Sequence, residues 1–320
     1  MYTIGGENMS EEPYTYRNKD LGSALRNLRG QYHISQEDLC RGIMSPTKLS
    51  RIETGKDLPS DQELALLMDR LHEPGCLLSD LYSTPSAETR RCLYKLKTAC
   101  AFDRWEQAGQ LLWCYRELAP ETSLPARQFI QFTDLLSQRY LGASIPPKDW
   151  VNYCISILKL TCPNYLPSAN VSELQLNQQE ILILNAIAVG LMEWDMIRQS
   201  KILLLQLLNI NRNRQDMGDL CALTRIALEN NLLLCELKGP FHGKALELCR
   251  NLLAHCSLAG GTYFYCKALR TRRALLLDLG QEQAAAETER VIFFLYHQLP
   301  TYEKIPYKDF IQGTPEILLI

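Results

Sequence analysis

Six residues between Gln36 and Lys56 carry the chemistry most readily read from this chain: Gln36, Ser45, Thr47, Lys48, Arg51 and Lys56. Short polar and basic side chains at helical spacing suit charge contacts to phosphates and hydrogen bonds to the edges of bases. Arg51 offers the forked guanidinium that meets guanine in a bidentate manner, and Thr47 and Lys48 face base edges or phosphates beside it. Ser45 stands at the entry of the same helix. Gln36 opens the preceding helix, where its side chain and backbone N–H can grip a phosphate. Lys56 falls just past the second helix and touches the backbone of the same partner. Leu39, Ile43, Leu49 and Ile52 lie between these positions as core, and Glu53 braces the fold.

Charge supports that reading. From Arg17 to Lys56 eight basic residues stand against four acidic ones, so the segment is +4 while the remainder of a chain of net charge −2 carries −6. A basic module on an acidic body suggests a polyanion as the partner of that module alone. Catalytic chemistry has no comparable signal. The five histidines (33, 72, 242, 255 and 297) form no H-x-x-x-H, and twelve cysteines contain no C-x-x-C. No metal-ligand spacing, phosphate-binding glycine loop or nucleophile elbow occurs, so neither a catalytic residue, a metal nor a cofactor is expected, and the protein reads as no enzyme. His255 beside Cys256 is discounted as a thiol pair, because adjacent helical residues point apart.

The elements that must position these groups are helices. Leucine occurs 56 times and valine 4 times, and leucine favours helices where valine favours strands, so the chain is expected to be all-α. With 46% hydrophobic residues it can bury a sizeable core. Its longest apolar runs, such as Val291 to Tyr296, fall far short of the roughly 20 residues that span a bilayer. Residues 1–16 lack a basic start followed by an apolar stretch and read as a flexible arm, so a cytoplasmic location with reduced thiols is expected.

Five short helices are predicted over 17–82. Leu21, Leu25 and Leu28 mark the first. Ser35 caps the second, and Gly42 ends it. Ser45-Pro46 opens the third with serine at the cap and proline at the first helical position, and Gly55 ends it in the left-handed conformation. Asp61 to Leu71 makes a fourth, and Leu77, Leu78 and Leu81 belong to a fifth. The turn-rich Ser83-Thr84-Pro85-Ser86 places a linker at 83–87.

Two short helices joined tightly, the second exposing polar and basic groups, make a helix-turn-helix. The stretch SQEDLCRGIMSPTKLSRIETGKDLPS resembles the DNA-binding segment of XRE-type, lambda-repressor-like regulators over about residues 20–72. The resemblance is carried by Ser35-Gln36, Leu49-Ser50-Arg51-Ile52-Glu53 and Gly55-Lys56. From Leu39 to Glu53 the segment is one residue shorter than the commonest version. That shortened turn is similar to the Rgg-like regulators.

Residues 88–312 read as antiparallel helix pairs stacked into an α-solenoid, whose concave surface is lined by the first helix of each pair. Breaks fall near Asp103, at Ser144 to Pro147, from Cys162 to Asn170, and near Gly190, Gly239 and Gly280. The layout resembles the Rgg/PlcR-like receptors, which join an XRE-type domain to a tetratricopeptide-like domain that binds short peptide pheromones and dimerises. That resemblance implies a DNA-binding transcription regulator, a homodimer, with a short hydrophobic peptide as ligand. A peptide in such a groove must be held by side-chain amides and charges. Asn185, Asn230, Arg225, Tyr263, Arg270, Arg272 and Arg273 are the candidates, with Arg225 placed to pair with Glu229 instead. Residues 313–320, an apolar extended-looking tail, resemble such a peptide in composition, and 314–320 may be read as a tethered ligand or as packing on the last helix pair. Two other readings remain: a ligand-independent helix-turn-helix repressor with a dimerising repeat domain, and a repeat-type protein-interaction adaptor.

Overall fold

The computed structural model describes residues 21–23, 25–30, 32–71, 87–118, 124–174, 176–212, 219–238, 244–300, 305–313 and 315–319, and no strand occurs among them. The expected arm at 1–16, the fifth helix around Leu77 to Leu81 and the linker up to Ser86 lie outside the described residues; Ala87 already belongs to a helix.

The N-terminal unit contains helical residues 21–23 and 25–30 (α1), Gln36–Cys40 (α2), Pro46–Glu53 (α3) and Asp61–Arg70 (α4). Each later start is built by a serine. Ser35 Oγ accepts from the Asp38 amide at 3.0 Å, and Ser45 Oγ from the Lys48 amide at 3.2 Å. Ser60 forms a reciprocal capping box with Glu63. Helix α3 stops at Gly55, whose φ of 71° lets the Lys56 amide reach back to the Arg51 carbonyl at 2.8 Å. Leu25, Ile34, Leu39, Cys40, Leu49, Ile52, Leu67 and Leu71 close one apolar core under these helices.

Between α2 and α3 the chain turns within a few residues, with the Cys40 carbonyl accepting from the amides of Ile43 and Met44. Gly42 sits in this turn at φ 73°, and a β-carbon there would meet Thr161 of the larger unit at 3.1 Å. The left-handed backbone angle favours glycine, and the close approach leaves a side chain little room.

The larger unit is a succession of antiparallel helices: Ala87–Ala101 (α5) with Trp105–Leu118 (α6), and Leu124–Tyr140 (α7) with Pro147–Leu158 (α8). After a 3-10 turn at Val171–Glu173 come Gln178–Glu193 (α9) with Ile197–Arg212 (α10), then Asp219–Lys238 (α11) with Ala245–His255 (α12). A π-helical turn at Cys256–Gly260 leads into Gly261–Asp278 (α13), which pairs with Glu282–Gln298 (α14), and a short Tyr307–Gln312 (α15) follows. Helix α11 packs on both α9 and α13, so the first helices of three successive pairs lie side by side as an inner layer. Helix α9 is buried on every side from Glu180 to Gly190, which explains why its sequence is almost continuously apolar.

One apolar core runs from Cys92 on α5 to Leu319. Among the described cysteines all but Cys114 are buried free thiols, and burial pushes those of Cys256 and Cys266 up to about 12. They serve as small apolar groups. No helix among the described residues is long and apolar enough to cross a membrane.

Candidate nucleic-acid interface and internal groove

Helix α3 presents one polar face outward. Ser45, Thr47, Ser50, Arg51 and Lys56 are exposed, while Leu49 and Ile52 point into the core. The Arg51 side chain is 58% accessible, and its nearest carboxylate, Asp57, is 3.6 Å away. A pair that open and that long holds the guanidinium only weakly. Lys48 is more constrained: its Nζ lies 2.6 Å from Glu63 Oε1 on α4, which leaves it half-exposed beside the recognition face.

Gln36 departs from expectation. Its amide donates to Glu53 Oε2 at 2.8 Å, turned inward rather than toward a phosphate. The cause is Glu53, a buried carboxylate that also receives Arg29 Nε at 2.6 Å and Arg29 Nη2 at 2.9 Å. Burial pushes the Glu53 carboxyl up, but the hydrogen bonds from Arg29 and Gln36 outweigh it and hold the group below the usual carboxylate range. Helices α1 and α2 are thereby locked to the end of α3.

The base of this unit is seated on the larger one through charge. Arg70, at the end of α4 and fully buried, donates through Nη1 to the carbonyls of Asp38, Leu39 and Arg41 at the end of α2. Its Nη2 lies 3.3 Å from Glu180 Oε1 in the first turn of α9. Thr161 Oγ1 donates to the same Glu180 oxygen at 2.7 Å and accepts from Gln128 Nε2 at 2.7 Å. The neighbouring Asp69 accepts from the Gln178 amide at 3.3 Å. These buried contacts seat the helix-turn-helix unit on the start of α9.

Five residues along the same helix, Asn185 opens a second polar site, inside the groove. Asn185, Asn230 and Asn231 are all fully buried. They hold residues 315–319, which lie across α9 and α11 toward α13. Asn185 Nδ2 donates to the Ile317 carbonyl at 3.1 Å, and Asn231 Nδ2 donates to the same oxygen at 3.0 Å. Asn231 Oδ1 accepts from the Ile317 amide at 3.0 Å. Asn230 Nδ2 donates to the Pro315 carbonyl at 3.0 Å, and Arg270 Nη2 to that of Gly313 at 2.6 Å. Thr271 and Asn185 hold the asparagines in place, by 2.8 Å to Asn230 Oδ1 and 2.9 Å from Asn231 Nδ2. Ile317, Leu318 and Leu319 are buried.

Of the groove candidates, Asn185, Asn230 and Arg270 are brought together. The others are not. Tyr263 is buried in a cluster with Phe102, Phe264, Tyr296 and Phe310 and donates to Asp103 at 2.8 Å, because its ring supplies core rather than lining. Burial foremost, with the Asp103 charge, pushes its phenol far above the ordinary value. Arg272, about 200° around α13 from Arg270, is exposed, and Arg273 pairs with Glu289 on α14 at 3.1 Å. Arg225 pairs with Glu229 at 2.9 Å, as its one-turn spacing implies, and Glu229 also meets His255 Nδ1 at 2.6 Å. Asn231, the residue that grips both the N–H and the C=O of Ile317, was not among the candidates. An Asn-Asn pair inside the apolar run of α11 was the signal that pointed to it.

Residues 20–81 match the family model described as a helix-turn-helix domain. Comparison with curated protein sequences returns no match. Among solved structures, the chain is similar to PlcR of Bacillus thuringiensis in complex with the peptide PapR7 and DNA, at 19% identity and a TM-score of 0.56, over 92% of this chain and 100% of that one. Apo ComR from S. thermophilus aligns over 92% of this chain and 100% of its own at 16% identity and a TM-score of 0.48. The chain thus carries a helix-turn-helix domain at residues 20–81, is all-α throughout its described residues, and is similar in overall fold to PlcR.

Proposed function

We propose that this chain is a sequence-specific DNA-binding transcription regulator whose helical-repeat unit binds a short hydrophobic peptide in extended form. Helix α3 enters the major groove. Arg51 reads a base, Thr47 and Lys48 lie beside it, and Ser45 and Lys56 contact the phosphate backbone. The chain acts as a homodimer on two half-sites about one turn of DNA apart.

The observation that carries this reading is the double engagement of α9. Its first turn holds the helix-turn-helix unit through Gln178 and Glu180, and Asn185, about 7.5 Å further along at 1.5 Å per residue, holds an extended chain in the groove. Whatever occupies the groove thus touches the helix that seats the DNA-binding head. A peptide shifts the placement of the heads only insofar as it binds one placement more tightly than another. The similarity to a PlcR structure holding peptide and DNA supports the same assignment.

Selection of binding sites from random double-stranded DNA tests it. The wild-type chain should enrich a two-part motif and Arg51→Ala should not; equal enrichment by both removes the recognition role from α3. Addition of extended hydrophobic peptides should then change affinity for the selected site.

A further inference from the structure

We propose that residues 315–319 are a built-in surrogate of the peptide ligand, competing with it for the amide ladder of Asn185, Asn230 and Asn231. This rests on the peptide-binding reading above and specifies its regulation: the free protein keeps its own groove filled.

Four observations carry it. The carbonyls of Gly313, Pro315 and Ile317 are held one after another, at the two-residue period of an extended chain. Every one of those donors comes from the first helix of a repeat pair, so the segment lies along the inner surface and not against the outer helices α12 and α14. Asn231 meets both the amide and the carbonyl of Ile317, as the peptide unit of a neighbouring strand would. Such contacts read main chain, which any extended peptide presents, while the apolar pockets under Ile317, Leu318 and Leu319 ask only for apolar side chains. Finally, the fit is imperfect. Glu316 Oε2 is buried with no hydrogen-bond partner, although the charges of Arg139 and Arg270 act on this carboxylate. A buried acceptor left unpaired weakens the hold of the segment and favours its exchange.

Tethering sets the size of the effect. A segment joined by one or two residues to α15 competes at an effective concentration on the order of 1 mM, so with an intrinsic affinity of about 10 µM for the groove it makes any external peptide bind about 100-fold more weakly to the intact chain.

Fluorescence anisotropy with a labelled synthetic peptide of residues 314–320 (Thr-Pro-Glu-Ile-Leu-Leu-Ile) tests the inference on full-length protein. Ile317→Asp keeps the chain length but cannot bury its segment, and should bind the probe about 100-fold more tightly than wild type. A chain lacking residues 314–320 should match it, and adding Asn231→Ala to that chain should abolish the gain. Equal binding by wild type and Ile317→Asp, or no binding by either Ile317→Asp or the shortened chain, overturns the proposal. DNA affinity is a separate readout. A probe that binds Ile317→Asp without altering its DNA affinity leaves the surrogate in place and refutes peptide control of DNA binding, and a peptide that alters DNA affinity equally in wild type and Ile317→Asp does the reverse.

Discussion

Helix α3 and the groove use polar side chains in opposite ways. On α3 Thr47 and Arg51 are exposed, with Arg51 loosely held by a distant Asp57, while Lys48 stays half-exposed against Glu63. In the groove the amides of Asn185, Asn230 and Asn231 are fully buried and each is partnered. The first arrangement leaves donors free for a hydrated partner that brings its own charge; the second builds a dry site whose amides would be costly to leave unmatched. An exposed reader can stand empty. A buried one needs an occupant, and here residues 315–319 supply it.

Breaking the element that joins the two regions should have the largest effect. Glu180→Ala leaves Arg70 buried without its carboxylate, and should lower stability by about 3–5 kcal/mol in urea unfolding. A loss below about 1 kcal/mol would mean that the carbonyls around Arg70 suffice. Next comes the groove alone: Asn231→Ala strips the Ile317 amide and carbonyl of their shared partner, at about 1–3 kcal/mol. Hydrogen exchange should show the Ile317 amide losing protection while α3 keeps its own; loss in both would erase the distinction between the regions. Arg51→Ala should leave stability unchanged and cost about 1–3 kcal/mol of discrimination between a selected site and one with a single altered base pair.

The smallest effect is one of pH. The Glu53 carboxyl lies below its ordinary range in the folded chain, so its contribution is fully present above the unfolded value near 4.3 and is lost as pH falls through the lower folded value. Urea midpoints between pH 6 and 3 should therefore fall on acidification, and Glu53→Gln should flatten that fall.

How much of this was legible in the sequence follows the same divide. The helix-turn-helix announced itself because serine caps, a helix-ending glycine and an outward-facing arginine are local signals, each within a few residues of what it controls. The inward turn of Gln36 was not legible, since it depends on a carboxylate 17 residues away. In the groove, Asn185 and Asn230 stood out as polar residues on apolar helix faces, and the tail by its composition. Asn231 escaped, because a stripe drawn along one face of α11 omits the residue about 100° around from it. Tyr263 and Arg273 looked available only because their partners, Asp103 and Glu289, are brought in by tertiary packing. The seat of Arg70 on Glu180, which spans 110 residues, had no local signature at all.

The turn at Gly42 has a consequence for modularity. The residue that lets α2 meet α3 is also the place where the DNA-binding head rests on Thr161. A helix-turn-helix unit transplanted here with an ordinary side chain at that position would press on Thr161, which would have to give by a few tenths of an ångström, and this unit moved elsewhere would leave its seat behind. Reader and body have therefore been shaped as a matched set, and a chimera exchanging one should exchange the other with it.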